Sequence, residues 1–330
     1  MVLSPVMVVG GLGFIGAHIC ALMAEKGFQV ISYDVKSPPH SSGEGGGANE
    51  SIQYVQGDVL DQGALVDEVR RLNVAGIIDT VATGDETAAR KDPGWAIHLN
   101  VQSTLNVLEA ARLNKIQRLV YLSTAGVYGK RQDPAPARED DPITWRKTIY
   151  HPSHYMGEVV VEMYREVFGL DAWILRPLSV YGPAASLGNG EGLEAKFIFF
   201  GGWLENVLKG NEVEVKGADT LSDITYVKDA ARAVEMAYSA EAAPHTLFNI
   251  SSGALISYRQ VAETIRKHLP SARFRFVAGV QENPLRPTQG PLDISRAKEE
   301  LRFIPQYSLD QGLGESIHWL RKKKTLSKGV

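Results

Sequence analysis

Short apolar, largely β-branched runs alternate with longer amphipathic stretches along the first half of the chain. Residues 6–9, 29–33, 52–56, 76–80, 118–123 and 172–175 have the length and composition of strands. Residues 16–26, 62–72, 101–113 and 155–168 carry a helical period. In the last of these Met156, Val160, Met163, Tyr164 and Val167 recur three and four apart, which gathers them on one helix face. Strand and helix in alternation predict βαβ units and a parallel sheet. Beyond Pro177 the rhythm loosens into a loop rich in Gly and Pro (182–192), then scattered elements and a final helix near 309–320. This divides the chain into residues 1–176, a sheet domain, and 177–330, a smaller lobe partly interleaved with it. Residues 37–49 have a composition that packs no core and read as a loop.

Composition narrows the class. With 330 residues, 44% hydrophobic and 22% charged, the chain is a globular protein long enough for a sizeable core, and coiled-coil, collagen-like and disordered readings fall away. A net charge of −3 gives no polycationic surface, so neither nucleic acid nor an anionic membrane is expected as a partner. The basic run 321–324 reads as a solvated helix end. One cysteine, Cys20, forms no internal disulfide, and no Cys/His set has zinc spacing, which fits a reducing, cytoplasmic setting and no metal. The N-terminal residues lack a basic leader pattern, and no apolar run reaches the roughly 18 residues of a membrane span.

The first apolar run leads straight into Gly10-Gly11-Leu12-Gly13-Phe14-Ile15-Gly16 and a helix. Glycines there permit a tight turn, close approach of backbone to a pyrophosphate, and close packing of helix on strand, while the helix N-terminus offers free N–H groups. Asp34 closes the second strand, where a carboxylate accepts hydrogen bonds from an adenine ribose and repels a 2′-phosphate; this predicts NAD as cofactor, with Lys36 nearby as a weak counter-signal.

The Gly-x-x-Gly-x-x-Gly spacing and the landmarks that follow resemble the extended short-chain dehydrogenase/reductase family, of the NAD-dependent epimerase/dehydratase type. These landmarks are Gly57-Asp58-Val59, Asn100-Val101, Leu122-Ser123-Thr124-Ala125-Gly126-Val127-Tyr128-Gly129, Leu175-Arg176-Pro177, Val180-Tyr181-Gly182-Pro183, Asp223 to Asp229, Phe248-Asn249-Ile250, and Ser295 to Leu301. The resemblance implies a Rossmann-type doubly wound parallel α/β sheet with a C-terminal substrate lobe. It implies NAD contacts from Gly10, Gly13, Phe14, Ile15, Gly16, Asp34, Asp58, Val59, Val81, Ala82, Thr83, Asn100, Tyr150, His154 and Pro177. Thr124 takes the position of the catalytic Ser/Thr. Tyr150 takes that of the proton-exchanging tyrosine, with Tyr155 as the other possibility. A homodimer formed by the helices after Asn100 and after His154 is also implied.

Departures from the family pattern shape the functional expectation. The Tyr-x-x-x-Lys lysine is replaced by His154 if Tyr150 is the tyrosine, or by Val159 if Tyr155 is. A lysine lowers the tyrosine pKa and bonds the nicotinamide ribose; a histidine can do the second but, mostly neutral at pH 7, gives little of the first. Three readings stay open: a working oxidoreductase with His154 in the lysine's place, one whose acid-base work has moved elsewhere, and a non-catalytic dinucleotide-binding sensor or partner protein. Ser179 and Ser222 stand where nucleotide-sugar enzymes of this type carry Asn and Arg, which points to a smaller or uncharged substrate bound by Thr124, Ser179 and Arg286. The leading expectation is an NAD-dependent oxidoreductase acting on a hydroxyl or keto group of a small, sugar-like substrate. Its alternative is a nucleotide-sugar epimerase or dehydratase with tightly bound NAD. Asp85 and Glu86 are placed at the substrate rim or in a solvated loop, Trp145 and Trp203 near the cleft or in packing, and His151 with His154 form a histidine pair without a third ligand.

Overall fold

A computed structural model of the protein describes residues 4–37, 51–129, 135–144, 148–183, 201–279 and 291–326. In chain order the elements are β1 (Val6–Val9), α1 (Phe14–Glu25), β2 (Val30–Asp34), β3 (Ile52–Gln56), α2 (Gln62–Arg71), β4 (Gly76–Asp79), α3 (Glu86–Lys91), α4 (Pro93–Ile97), a π-helical turn (His98–Gln102), α5 (Ser103–Leu113), β5 (Arg118–Leu122), a 3-10 turn (Ala125–Tyr128), α6 (Tyr150–Phe168), β6 (Ala172–Pro177) and β7 (Val180–Tyr181). They continue as α7 (Gly201–Leu208), β8 (Glu212–Lys216), β9 (Leu221–Asp223), β10 (Thr225–Tyr226), α8 (Val227–Ser239), β11 (Leu247–Ile250), β12 (Leu255–Ser257), α9 (Tyr258–His268), β13 (Arg273–Val277), α10 (Ser295–Glu300) and α11 (Leu309–Leu326).

Seven strands form one parallel sheet in the order β11-β6-β5-β4-β1-β2-β3. Its inner strands are buried on both faces, which is why they read as continuous apolar runs, while the edge strand β3 is partly exposed. Val6, Val8, Ile78, Val120 and Trp173 point to the face covered by α1 and α8; Met7, Val9, Ile77, Leu119 and Ile174 point to the face covered by α2, α5 and α6. Strand order reverses between β1 and β4, so the chain leaves a crevice at the carboxyl ends of these two strands, the usual ligand position in such sheets. The sheet is the doubly wound α/β architecture expected from the sequence.

The later part of the chain contributes to two layers. β11 and α8 return to the large sheet, where Ala231, Val234 and Phe248 share a core with Ile19 and Met23 of α1. α7, β8, α9, β13 and α11 build a separate core of Leu204, Val215, Ile265, Phe274 and Ile317. β8 pairs with β13, β9 with β12 and β7 with β10 outside the main sheet.

Element ends differ from the expectation in instructive places. α6 begins at Tyr150 rather than 155. Its first turn lacks the apolar stripe but holds Pro152, which a first turn tolerates because its N–H has no helical partner. α5 begins at Ser103, because residues 98–102 form a π-helical turn that carries Asn100. Most of the 37–49 loop, and Trp145, lie outside the described residues.

Candidate active site

One cavity of about 660 Å³ opens at the crevice. It is lined by Gly10, Gly13, Phe14, Ile15 and Gly16, by Asp34, by Asp58 and Val59, by Val81 and Ala82, by Thr124, Tyr150 and His154, and by Pro177 and Ser179. Of the residues expected there, Thr83 and Asn100 do not line it, and Arg286 lies outside the described residues. Lys36, Gly126, His151 and Leu178 also line the cavity.

The glycine loop is a cradle with no room for side chains. A Cβ on Gly16 would stand 2.2 Å from the Gly10 carbonyl oxygen, and one on Gly13 would stand 2.9 Å from it. Gly10 has φ +80°, in the left-handed region. The N-terminus of α1 has no side-chain cap, so its amides and dipole face the cavity. Asp34 accepts the Leu12 N–H at 3.0 Å and the Lys36 N–H at 3.0 Å. It therefore ties the loop to β2, and its carboxylate keeps lone pairs for ribose hydroxyls. These features fit the ADP half of a dinucleotide.

Across the crevice, α6 is held at its first turn by residues distant in sequence. Its N-cap, Ile149, supplies no side-chain cap. Glu86 does so instead: its carboxylate accepts the Ile149 N–H at 3.1 Å and is paired with Arg90 at 2.9 Å. Glu86 is thus buried and structural, not a rim residue. Asn100 accepts the Thr83 N–H at 2.7 Å and donates to Ser153 Oγ at 2.8 Å, and Ser153 Oγ donates to the Tyr150 carbonyl at 2.8 Å. Asn100 and Thr83 brace the wall from behind.

The turn so fixed brings Tyr150, not Tyr155, to the cavity. The Thr124 hydroxyl lines the cavity beside the Tyr150 phenol and opposes the effect of burial on it, and its oxygen accepts the Gly126 N–H at 3.1 Å. Burial pushes Tyr150 up to about 12. His154 stacks edge-on against Tyr150 with ring centroids 4.5 Å apart. Burial, with His151 nearby, pushes His154 down to about 3, so its ring is neutral at physiological pH. Its Nε2 has no hydrogen-bond partner among the described residues. His151 packs on Gly126, where a Cβ would stand 2.2 Å from its ring, and its Nδ1 lies 3.1 Å from Thr148 Oγ1. Among the described residues no group of three or more His, Cys, Asp or Glu could hold a metal, and no helix is long and apolar enough to cross a membrane.

Below Thr124 runs a buried polar network. Ser123 Oγ donates to Glu158 at 2.5 Å, Arg176 donates to both Glu158 oxygens at 2.9 and 2.6 Å, and Arg176 also donates to the Tyr128 hydroxyl at 2.8 Å. Ser123 is therefore committed to Glu158 and offers no nucleophile.

A parallel sheet with a glycine-cradled helix N-terminus at its switch point and a paired threonine and tyrosine facing it defines a dinucleotide-dependent enzyme of the oxidoreductase type. A sequence model of the NAD dependent epimerase/dehydratase family matches residues 6–251, and the chain belongs to that family, whose cofactor is NAD. It is 27% identical over 323 residues to a putative UDP-glucose 4-epimerase of Methanocaldococcus jannaschii, covering 96% of this chain and 98% of the relative. It is also 27% identical over 333 residues to a UDP-N-acetyl-alpha-D-glucosaminuronate decarboxylase of Bacillus cytotoxicus, covering 96% and 97%. Among solved structures, the UDP-N-acetylglucosamine 4-epimerase of Methanobrevibacter ruminantium superposes with a TM-score of 0.84 at 21% identity, covering 98% of this chain and all of that one.

Proposed function

We propose that this enzyme acts on a nucleotide-linked sugar, oxidising one carbinol carbon and reducing it again in the same cycle, as an epimerase does. The observation that carries the reading is the placement of Tyr150 and Thr124 in the lining of the same cavity as the glycine cradle. Relatives that span nearly the whole chain and act on UDP-sugars support it over the smaller substrate suggested by Ser179 and Ser222.

Bound NAD supplies a hydride acceptor and, once reduced, a donor. The chain's residues handle the proton. Thr124 has its oxygen occupied by the Gly126 N–H, so its O–H is free to point at the reacting oxygen. Tyr150 takes the proton of the substrate hydroxyl as its carbon is oxidised, and gives it back when the ketone is reduced. With its pKa raised, the phenol suits the second step at neutral pH better than the first. Asp58, Asp34 and the α1 N-terminus hold the dinucleotide, and His154 offers a ring nitrogen to it.

A net dehydrogenase is the second reading, favoured by the absence of an amide at Ser179 and of a guanidinium at Ser222. The two separate in one experiment. The purified protein is incubated with a panel of UDP-hexoses and UDP-hexuronates and followed by proton NMR and by near-ultraviolet absorbance. Interconversion of epimers without stoichiometric NADH is the expected result. Steady NADH accumulation from a simple hydroxy substrate, with UDP-sugars inert, would overturn it.

We further propose a homodimer. Met156, Val159, Met163 and Val167 form an exposed apolar row on α6, 43 to 65% accessible, which a partner copy would cover.

A further inference from the structure

His154 has a partner that the proton chemistry above does not use. Its Nδ1 lies 3.2 Å from the hydroxyl of Tyr121 on β5, and the same hydroxyl lies 3.3 Å from the His154 carbonyl oxygen. Tyr121 is 1% exposed and does not line the cavity, so it acts on a ligand only through His154. Its place depends on Gly157, where a Cβ would stand 2.2 Å from the phenol oxygen. The Asp79 carboxyl of β4, the Thr104 hydroxyl of α5, and Glu158 and Tyr150 of α6 face the phenol, while His151 faces the His154 ring.

We propose that Tyr121 is a positioning residue that fixes the tautomer of His154, so that His154 presents an Nε2–H donor to a hydroxyl or carbonyl oxygen of the bound cofactor or substrate. A neutral imidazole carries one N–H and one acceptor nitrogen, and a neighbour on one nitrogen decides the role of the other. Two arrangements fit the distances around Tyr121. In one the phenol donates to Nδ1; in the other it donates to the His154 carbonyl and accepts from Nδ1–H. The carbonyl already accepts within α6 as a regular helical position does. A phenol is a better donor than acceptor, and an imidazole nitrogen a better acceptor than an amide oxygen already bonded. The first arrangement prevails and leaves the proton on Nε2. That nitrogen is buried and has no partner among the described residues, and its residue lines the cavity, so a ligand closing on the ring completes the hydrogen bond. Burial holds the phenol protonated and the ring neutral, which keeps the arrangement intact across physiological pH.

The proposal rests on the reading of this cavity as the cofactor and substrate site, but its test needs no turnover. The full-length protein labelled with 15N-histidine is examined by long-range proton–nitrogen correlation, with His154 assigned through the loss of its signals in His154→Gln. The Nε2-protonated neutral pattern is expected from about pH 6 to about pH 8, and Tyr121→Phe should convert it to a mixture or to the Nδ1–H form. Tyr121→Phe should also weaken NADH binding about fivefold to tenfold, the loss of one neutral hydrogen bond. In a His154→Gln background, whose amide has no tautomers, it should add no such loss. A wild-type spectrum showing Nδ1–H overturns the proposal whether or not the variant folds. So does a Tyr121→Phe protein with unchanged spectrum and affinity. Inert UDP-sugars would sink the functional reading and leave this one standing.

Discussion

Two neutral rings side by side set the acid-base character of this site. Tyr150 is raised to about 12 and His154 lowered to about 3, both mainly by burial. The base form of Tyr150 is its phenolate, so a raised pKa leaves it scarce at neutral pH. Hydroxyl oxidation limited by that base therefore rises with pH, about tenfold per unit, with no plateau until the strongly alkaline range. A cation at position 154 stabilises the phenolate and moves the rise to lower pH. The expected outcome for His154→Lys is an oxidation rate about tenfold higher at neutral pH and a plateau displaced towards acid. A pH–rate profile of both proteins with a confirmed substrate checks it; superimposable profiles would show that His154 does not govern the tyrosine. That Tyr150 and His154 stand together at the cavity was legible in the sequence. What burial does to both groups was not, because it depends on the walls that β5, α5 and the 3-10 turn put around them.

At the scale of elements, the site depends on how α6 is seated. Glycine spacing announced the cradle on α1 because a pyrophosphate needs bare backbone, a requirement written locally in the sequence. The seat of α6 is assembled from side chains far apart in the chain, and no local pattern reveals it. Glu86 caps its first turn, Asn100 braces Ser153, and Glu158 is pinned by Ser123 and Arg176. Asp34 likewise proved to bind the loop as well as face the cavity. The Glu158–Arg176 pair joins α6 to β6 with both side chains 4% exposed. Removing one partner strands the other's charge in the core, so Glu158→Ala should destabilise the protein by about 3–5 kcal/mol. The double variant Glu158→Ala/Arg176→Met should recover part of that loss. Denaturant unfolding measures both; a Glu158→Ala cost near that of an ordinary surface substitution would mean that water reaches the arginine.

For the whole molecule, the sheet places the glycine cradle and Tyr150 on opposite walls of one crevice, while α6 turns its other side outward. That outer side carries the row Met156, Val159, Met163 and Val167, and α5 beside it exposes Leu113 at 48%. Single exposed apolar residues are ordinary, but a row along one helix with Leu113 of its neighbour beside it leaves apolar surface in water at roughly 25 cal/mol per Å². Pairing α5 and α6 with the same helices of a second copy about a two-fold axis covers the row and Leu113 on both copies at once, since such an interface is self-complementary. Wild-type protein should then elute with twice the mass of the chain in size-exclusion chromatography with light scattering. Val159→Glu/Met163→Glu places four like charges at the centre of that interface and should reduce the mass to that of one chain. Both substituted positions are exposed and neither lines the cavity, so NADH affinity should stay within about twofold of wild type if each subunit holds a complete site. A wild-type protein that elutes as a monomer rejects the pairing, and a variant that stays dimeric moves the interface to another face of the molecule.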